Sequence, residues 1–276
     1  MLIQYIKAIL LGIVEGITEW LPISSTGHLI LLEPLISLGL SEKMRSLFDV
    51  VVQLGAVLAV PVVYRKKLFS CSRQTQKLYL KLIIATIPAS IAGLAADALT
   101  KKLFGRGLDE LLFKPSVVAA ALIIYGIIFI AAEKLQREDK RAKNGDISYG
   151  RAFAIGCFQA LALVPGTSRS GATILGARLL GTDKEAAAEF SFFAALPVIS
   201  AASVLELSDL AKEVSSGALA LPKEELKLLA CASITAFAIS LLTIRFLTDF
   251  IKRHSFAPFG IYRILLGLAV FALLCI

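Results

Sequence analysis

Two polar segments interrupt an otherwise apolar chain. The first, "EGITEWLPISSTGH", spans residues 15–28 and carries two carboxylates, several hydroxyl groups and a histidine. The second, "VPGTSRSGAT", spans residues 164–173 and combines glycines and hydroxyl groups with one arginine. Ionisable groups at bilayer depth are costly and by default mark a functional site. Both segments are therefore candidate sites.

The first segment opens with an acidic pair. Glu15 and Glu19 are four residues apart, so a helix would place them on one face, about 6 Å apart. Two bare carboxylates repel each other there unless they share a proton or hold a cation between them. Mg²⁺ or Ca²⁺ fits carboxylate oxygens best, so we expect a metal-binding pair. The alternative is a helix-face pair that points at water, and Trp20 beside it is expected to be an interfacial anchor.

A hydroxyl cluster follows Pro22, which should end the helix. The cluster consists of Ser24, Ser25 and Thr26. Such side chains often only bond to their own backbone. His28 follows at once, and histidine titrates near neutral pH, so it is a candidate general acid or base.

The second segment has the residues of an anion cradle. Gly166 and Gly171 permit tight turns, and a half-helix starting there would offer free N–H groups and a positive dipole end to phosphate. Arg169 adds a planar fork that can grip two phosphate oxygens. Its alternative role is a structural ion pair with Glu15 or Glu19. Four hydroxyl donors accompany it: Thr167, Ser168, Ser170 and Thr173.

The composition is that of an integral membrane protein. The 276 residues are 57% hydrophobic and 18% charged, and the mean hydropathy is +0.78. A soluble domain is nearer 45–50% apolar and about 25% charged. The net charge of +8 comes with basic residues in short loops. This pattern indicates a cytoplasmic face rather than binding to nucleic acid.

The chain contains eight apolar stretches. A straight helix that spans the membrane needs about 20 residues. They are residues 2–32, 47–64, 78–99, 116–132, 151–180, 190–207, 227–247 and 257–276. Two are too long for one span and are interrupted by Pro22 and Pro165. Broken helices at membrane depth are tolerated only where protein buries them or water reaches them.

The two interrupted stretches open similar halves. A shift of 144 positions (156 minus 12) pairs Gly12 with Gly156, and it also pairs Glu15 with Gln159, Ser24 with Ser168, Thr26 with Ser170 and Gly27 with Gly171. The order of the following spans repeats as well. We therefore predict one membrane domain over residues 1–276, with repeat halves of about 1–140 and 145–276.

The predicted fold is an all-α polytopic membrane protein with about six full spans and two re-entrant broken-helix hairpins that meet near the midplane. Loop 65–77 carries five basic residues and no acid, so it should be cytoplasmic. Loops 133–150 and 248–256 then share its side, and the acid-rich loop 206–226 lies outside. Three spans per half give an inverted-topology repeat. If all eight stretches crossed, loop 248–256 would change sides.

Both motifs closely resemble the signature motifs of the bacterial undecaprenyl pyrophosphate phosphatases, the bacitracin-resistance family. The resemblance covers essentially the whole chain. It implies hydrolysis of undecaprenyl pyrophosphate to undecaprenyl phosphate, a divalent cation, and an active site open to the outer side of the bacterial plasma membrane. The expected partners are the polyprenyl pyrophosphate lipid and the bilayer, with a homodimer as a further option and no nucleic acid.

The resemblance also implies site residues. The family's E-x-x-x-E element falls on Glu15 and Glu19, its hydroxyl–histidine element on Ser25, Thr26 and His28, and its P-G-x-S-R-S element on 165–170. The expected catalytic residues are Glu19, Ser25, His28 and Arg169. The expected phosphate-binding residues are Ser24, Thr26, Gly166, Thr167, Ser168, Arg169, Ser170 and Thr173.

The expected mechanism is phosphoryl transfer. Glu15 and Glu19 hold the metal, Arg169 binds the terminal phosphate, and Ser25 either attacks or positions a water. His28 moves the proton. A mechanism with two histidines is not expected, because His254 lies in a basic loop that should be cytoplasmic. The rival hypothesis is a lipid-phosphate or anion transporter, in which the carboxylates couple ions and the arginine clamps substrate.

Overall fold

The computed structural model describes residues 1–138, 146–216 and 221–274, and this part of the chain contains helices and no strand. The helices are α1 (Leu2–Thr18), α2 (Ser25–Leu32), α3 (Glu42–Val57), α4 (Ala59–Val63), α5 (Arg65–Leu68), α6 (Arg73–Phe104), α7 (Leu108–Leu112), α8 (Pro115–Glu138), α9 (Tyr149–Gln159), α10 (Arg169–Leu179), α11 (Lys184–Ser215), α12 (Lys223–Arg253) and α13 (Ala257–Leu274). A 3₁₀ turn, Ala160–Leu163, follows α9. The predicted all-α class is confirmed.

Six helical segments among the described residues are long and apolar enough to cross a membrane. They are Lys43–Val63, Arg73–Phe104, Pro115–Leu135, Lys184–Ser215, Lys223–Arg253 and Ala257–Leu274. The two other apolar stretches are each broken into two short helices, α1 with α2 and α9 with α10. The predicted count of six full spans and two broken helices is confirmed.

The first broken helix folds back on itself. The Lys7 ammonium near the start of α1 donates a hydrogen bond to the Ser37 carbonyl, 2.7 Å away. A Cβ added to Gly39 would lie 3.8 Å from the Gln4 amide. Because the chain returns to the end where it began, residues 2–39 form a re-entrant hairpin, called here the first hairpin.

The second broken helix does the same. A Cβ on Gly176 of α10 would lie 2.6 Å from the Phe158 ring of α9, so the two helices are in close contact. Asp146, before α9, and Asp183, after α10, line the same cavity of about 940 Å³. Residues 146–183 therefore form the second hairpin.

The two hairpins open at opposite ends of the helix bundle. At one end Ser41, just beyond the first hairpin, contacts Glu225. At the other, Lys184, just beyond the second hairpin, donates to the carbonyls of Lys252 and His254. Opposite openings are what an inverted-topology repeat requires.

Two ion pairs fix which loops share an end. Lys43 at the start of α3 pairs with Glu213 near the end of α11, at 2.5 Å. Lys67 after α4 pairs with Glu189 near the start of α11. Lys184, close to Glu189 at the start of α11, contacts Lys252 and His254. The basic loops 65–77 and 248–256 therefore lie together, away from the acid-rich segment. Residues 139–145 of the third basic loop lie outside the described part.

The acid-rich segment 206–226 is not the loop that the sequence predicts. Helix α11 continues to Ser215 and α12 begins at Lys223, so most of the segment is helical. The charged residues extend the two helices past the apolar span instead of ending them. The same kind of extension lengthens α6, which runs from Arg73 to Phe104.

Glycines let each hairpin press against a long helix of the other half. A Cβ on Gly12 would lie 2.4 Å from the Ala232 carbonyl oxygen of α12, and one on Gly156 would lie 2.3 Å from the Ala85 carbonyl oxygen of α6. Small residues permit such close helix contacts in membranes. The equivalence of Gly12 and Gly156 agrees with the predicted repeat halves, which remain a prediction.

Candidate active site

The two breaks, residues 19–24 between α1 and α2 and residues 164–168 between the 3₁₀ turn and α10, have the same backbone geometry at their last residue. Ser24 and Ser168 have φ angles of 76° and 75°, in the left-handed region that non-glycine residues rarely adopt. Each hydroxyl oxygen accepts the amide hydrogen three residues on, from Gly27 at 3.2 Å and from Gly171 at 3.0 Å. These caps start the half-helices α2 and α10, whose N-termini follow the breaks.

One carboxylate joins the two hairpins. The Ser25 hydroxyl donates to Glu19 Oε2 at 2.6 Å, and Arg169 Nη2 donates to Glu19 Oε1 at 2.6 Å. Arg169 Nη1 donates to the Ser191 carbonyl at 2.7 Å. The side chains of Arg169 and Glu19 are only 13% and 7% exposed, so the pair is largely shielded from water. A candidate nucleophile, a carboxylate and a guanidinium thus form one connected group.

This group places two predicted residues differently from the expected mechanism. The ion pair that was the alternative role of Arg169 is formed with Glu19 in this structure. Glu19, expected as a metal ligand, accepts the hydroxyl hydrogen of Ser25. A carboxylate within hydrogen-bond distance of a hydroxyl is placed to take its proton during attack.

His28 points to different partners. Its Nδ1 lies 2.6 Å from the Ser24 carbonyl, which can only accept, so Nδ1 carries the hydrogen. Its Nε2 then accepts from the Tyr262 hydroxyl at 2.7 Å, and the two rings stack. His28 therefore lies next to the cluster without contacting the Ser25 hydroxyl. His254 lies at the basic end, stacked on Phe250.

Glu15 is the most unusual buried group near the site. It is fully buried, and neither carboxylate oxygen has a hydrogen-bond partner among the residues that the structure describes. Burying a carboxylate without a partner is costly. The helical bond from the Glu19 amide to the Glu15 carbonyl puts both side chains on one face, as predicted.

The acidic pair suits an ion that takes only one or two protein ligands, such as Mg²⁺, better than an ion that needs protein ligands alone. Within the described ranges, no group of three or more His, Cys, Asp or Glu side chains could hold a metal ion. Mg²⁺ commonly takes one or two carboxylates together with substrate phosphates and waters. Glu15 and Glu19 offer two such carboxylates, so the residues fit the expected cation. The metal remains a prediction.

The hydroxyls of the second hairpin divide into two groups. The Ser168 and Ser170 hydroxyls lie 3.1 Å apart, and Ser170 also donates to the Leu21 carbonyl of the first hairpin. The Thr173 hydroxyl instead contacts the Ser191 hydroxyl at 2.6 Å and backbone carbonyls of its own helix. Ser168 and Ser170 therefore lie at the break, whereas Thr173 is bonded inside the protein.

The remaining predicted phosphate-binding residues occupy varied positions. Gly166 has a φ of 92°, and a Cβ there would lie 2.6 Å from the Val118 carbonyl oxygen, so only glycine fits. Thr167 is fully buried, and its hydroxyl has no partner in the part of the chain described. Thr26 is half-buried on α2.

Trp20 is not the expected interfacial anchor. It is fully buried, and its ring packs edge-on against Phe192 of α11, with centroids 5.6 Å apart. An interfacial tryptophan keeps its N–H near the headgroups. Trp20 instead fills the core between α1 and α11 beside the acidic pair.

Two neighbouring residues of α13 near the site were not predicted from the sequence. Tyr262 is the partner of His28. Arg263 is fully buried and donates to the carbonyls of Pro22 at 3.0 Å and Gly166 at 2.8 Å. A lone arginine inside the last apolar stretch was a readable signal, because charged groups at membrane depth are costly.

Comparison with known proteins identifies the family. The sequence model of the family described as "Bacitracin resistance protein BacA" matches residues 8–269. The chain belongs to this family. The predicted resemblance to the bacitracin-resistance family is thereby confirmed.

Relatives of this chain align with it over nearly their whole length. Undecaprenyl-diphosphatase 1 of Clostridioides difficile (strain 630) is 45% identical, over 98% of this chain and 96% of the relative. Undecaprenyl-diphosphatase of Acetivibrio thermocellus is 46% identical, over 98% and 97%. The Enterococcus faecalis protein of that name is 44% identical, over 97% and 96%.

Proposed function

We propose that this chain hydrolyses undecaprenyl pyrophosphate to undecaprenyl phosphate and inorganic phosphate. Its relatives bear the name undecaprenyl-diphosphatase at high coverage. The observation that carries the proposal is the contact of Ser25 and Arg169 with opposite oxygens of Glu19. This contact brings together a hydroxyl, a carboxylate and a guanidinium, which supports their proposed roles as nucleophile, base and phosphate ligand in phosphoryl transfer.

In the proposed mechanism Glu19 is the base. The Ser25 oxygen attacks the terminal phosphorus, and Glu19 takes the hydroxyl proton across the 2.6 Å hydrogen bond. The bond from that phosphorus to the bridging oxygen breaks, and undecaprenyl phosphate leaves. Water then hydrolyses the phosphoserine and releases inorganic phosphate. In the alternative form, Ser25 and Glu19 position a water that attacks directly.

The second hairpin is proposed to bind the terminal phosphate. Arg169 lies beside the Ser25 hydroxyl through their shared carboxylate. A phosphate between them would take over part of the guanidinium's hydrogen bonding, because Arg binds phosphate through the same fork that it offers to a carboxylate. Ser168 and Ser170 add hydroxyl donors at the α10 N-terminus, where the helix dipole favours an anion.

The proposed cofactor is a divalent cation, with Mg²⁺ preferred. Glu15 and Glu19 would hold it together with the substrate phosphates. A bound cation would neutralise charge on the pyrophosphate. It would also give the buried Glu15 carboxylate an electrostatic partner.

The transporter hypothesis is less well supported. A transporter that coupled ions through Glu15 and Glu19 would have no need of a serine hydroxyl bonded to Glu19. The relatives' names also denote a phosphatase. We therefore propose hydrolysis as the activity of this site.

The chain is a multi-pass membrane protein, and six helical segments of its described residues are long and apolar enough to span the bilayer. We propose that it lies in the bacterial plasma membrane, with loops 65–77 and 248–256 cytoplasmic and the site open to the outer side. There it would recycle the lipid carrier of envelope polymers. It would also confer resistance to bacitracin, which sequesters the lipid pyrophosphate. A homodimer stays a prediction.

The test is phosphate release by purified protein in detergent. The native chain should release inorganic phosphate from undecaprenyl pyrophosphate, and EDTA should abolish the release. Glu19→Gln should lower kcat about 1,000-fold, because it removes the base. Glu33→Gln is the matched control, since this carboxylate forms an exposed pair with Arg45. A folded native chain that releases no phosphate with added Mg²⁺ or Ca²⁺ contradicts the proposal.

A further inference from the structure

Arg263 is a buried cation without an acidic partner. It is fully buried in α13, and no carboxylate of the described residues pairs with it. Its neighbours include the rings of Tyr125 and Phe129, with the guanidinium carbon 5.8 and 6.0 Å from their centroids. An apolar side chain would fill this space without the cost of burying a charge.

The two carbonyls that it binds occupy equivalent positions in the two breaks. Pro22 and Gly166 are separated by 144 positions (166 minus 22), the same shift that pairs Ser24 with Ser168. Arg263 donates one Nη hydrogen bond to each carbonyl. A single guanidinium thus connects both breaks, and only a forked donor can do so with defined geometry.

The same guanidinium lies beside the proposed phosphate site. A Cβ added to Gly171 in the first turn of α10 would lie 3.2 Å from Arg263 Nη1. The Arg263 Nε is buried without a hydrogen-bond partner in the described residues. The charge is therefore located at the N-terminus of the half-helix, where it adds to the helix dipole.

We propose that Arg263 is a positioning residue for pyrophosphate hydrolysis. Resting on the proposed function, the role has two parts. The guanidinium holds the two breaks in register, which keeps Ser25 and Glu19 of the first hairpin in line with Arg169 of the second. Its unpaired charge favours a polyanion at the α10 N-terminus, since an opposite charge is worth most where water is excluded.

A purely structural anchor would behave differently. It would lower stability and the folded fraction while leaving the turnover of each folded molecule unchanged. A positioning residue lowers kcat in the folded protein, because a misplacement of about 1 Å can cost about 100-fold in rate. Separating kcat from KM and from the melting temperature therefore distinguishes the two roles.

The experiment compares three variants with the native chain in detergent. Arg263→Met removes charge and fork, and Arg263→Lys keeps the charge but offers a single donor point. Arg178→Met is the matched control, because Arg178 also lies in the second hairpin but bonds the Thr182 carbonyl away from the breaks. The readouts are melting temperature, kcat and KM on undecaprenyl pyrophosphate, and stabilisation by inorganic pyrophosphate at constant Mg²⁺.

Arg263→Met should lower kcat about 100-fold with a smaller change in KM, and it should lose the stabilisation by pyrophosphate. Arg263→Lys should fall about 10-fold and retain part of that stabilisation, whereas Arg178→Met should match the native chain. A kcat within twofold of native in folded Arg263→Met overturns the inference. If Arg263→Met does not fold, a native-like kcat in Arg263→Lys overturns it.

Failure of the proposed function itself has a separate signature. A native chain that hydrolyses nothing but is stabilised by pyrophosphate, with the stabilisation lost in Arg263→Met, would refute hydrolysis and support the role of Arg263 at an anion site. A native chain that pyrophosphate does not stabilise, or equal stabilisation of native and Arg263→Met, overturns the inference whatever the activity.

Discussion

The two hairpins share a backbone design but carry different chemistry. In each, a serine with φ near 75° ends the break and caps a half-helix through the amide of a glycine three residues on. In each, a glycine on the entering helix packs against a carbonyl of a long helix. The similarity extends to the two carbonyls that Arg263 binds.

The chemistry differs at equivalent positions. Shifting by 144 residues pairs Glu15 with Gln159, Glu19 with Leu163, Ser25 with Arg169 and His28 with Ala172. The first hairpin thus holds the proposed base and the proposed nucleophile, and the second holds the arginine proposed to bind phosphate. Each hairpin alone lacks part of the set, and the Glu19–Arg169 contact completes it. Two similar backbone breaks fix the geometry, and unlike side chains at matching positions divide the proposed reaction between the hairpins.

The Glu15→Gln substitution gives the first hairpin the residue type that the second hairpin has at the equivalent position, Gln159. Of the changes suggested by this comparison, it should have the strongest effect. Glu15→Gln should lower kcat/KM about 100-fold at low Mg²⁺, with partial recovery at high Mg²⁺, because the cation loses a carboxylate ligand. With EDTA present, the variant should melt at a higher temperature than the native chain, since an unpartnered buried carboxylate is gone. Phosphate release against Mg²⁺ concentration and thermal unfolding measure both.

Its matched control is Gln159→Leu, at the equivalent buried position of the second hairpin. This change should alter kcat/KM by less than about threefold and leave the Mg²⁺ dependence unchanged. Gln159 contacts the Ala85 carbonyl of α6 and is not part of the proposed site. Equal losses at the two positions would show that the acid of the first hairpin has no special role.

Chemical labelling of cysteines tests on which side of the membrane each end of the helix bundle lies. Cys71 is exposed in loop 65–77. A membrane-impermeant maleimide should leave it unlabelled in intact cells and should label it after disruption, because basic loops lie on the cytoplasmic side. Mass spectrometry of the Cys71 peptide reports the result.

Ser216→Cys supplies the control from the other end of the bundle. Ser216 is exposed where α11 ends, and the thiol there should react in intact cells. Labelling of Cys71 but not of the cysteine at position 216 would reverse the proposed orientation.

The positions of the helix breaks and the arrangement of the acidic pair could be predicted from the sequence. Helices break where Pro22 and Pro165 interrupt overlong apolar stretches. The spacing of Glu15 and Glu19 placed both on one helix face, as found. Such features depend on local rules of helix geometry, length and polarity, which a single sequence carries.

Contacts between distant segments were beyond these rules. The sequence offered Glu15 or Glu19 as an ion-pair partner of Arg169, but the contact of Glu19 with both Ser25 and Arg169 depends on how two hairpins pack, which no local pattern encodes. Trp20 was misassigned for the same reason, because Phe192, more than 100 positions away, covers it. Arg263 was visible as a costly charge, but its two carbonyl partners were not.

A double-mutant cycle across the two hairpins tests whether Glu19 joins Ser25 and Arg169 into one site. Phosphate release from undecaprenyl pyrophosphate is measured for the native chain, Ser25→Ala, Arg169→Met and the double variant. Groups that act as one unit are strongly non-additive, so the double variant should be about as slow as the slower single variant. Losses that multiply would show that the two hairpins contribute independently, and they would contradict a single site completed through Glu19.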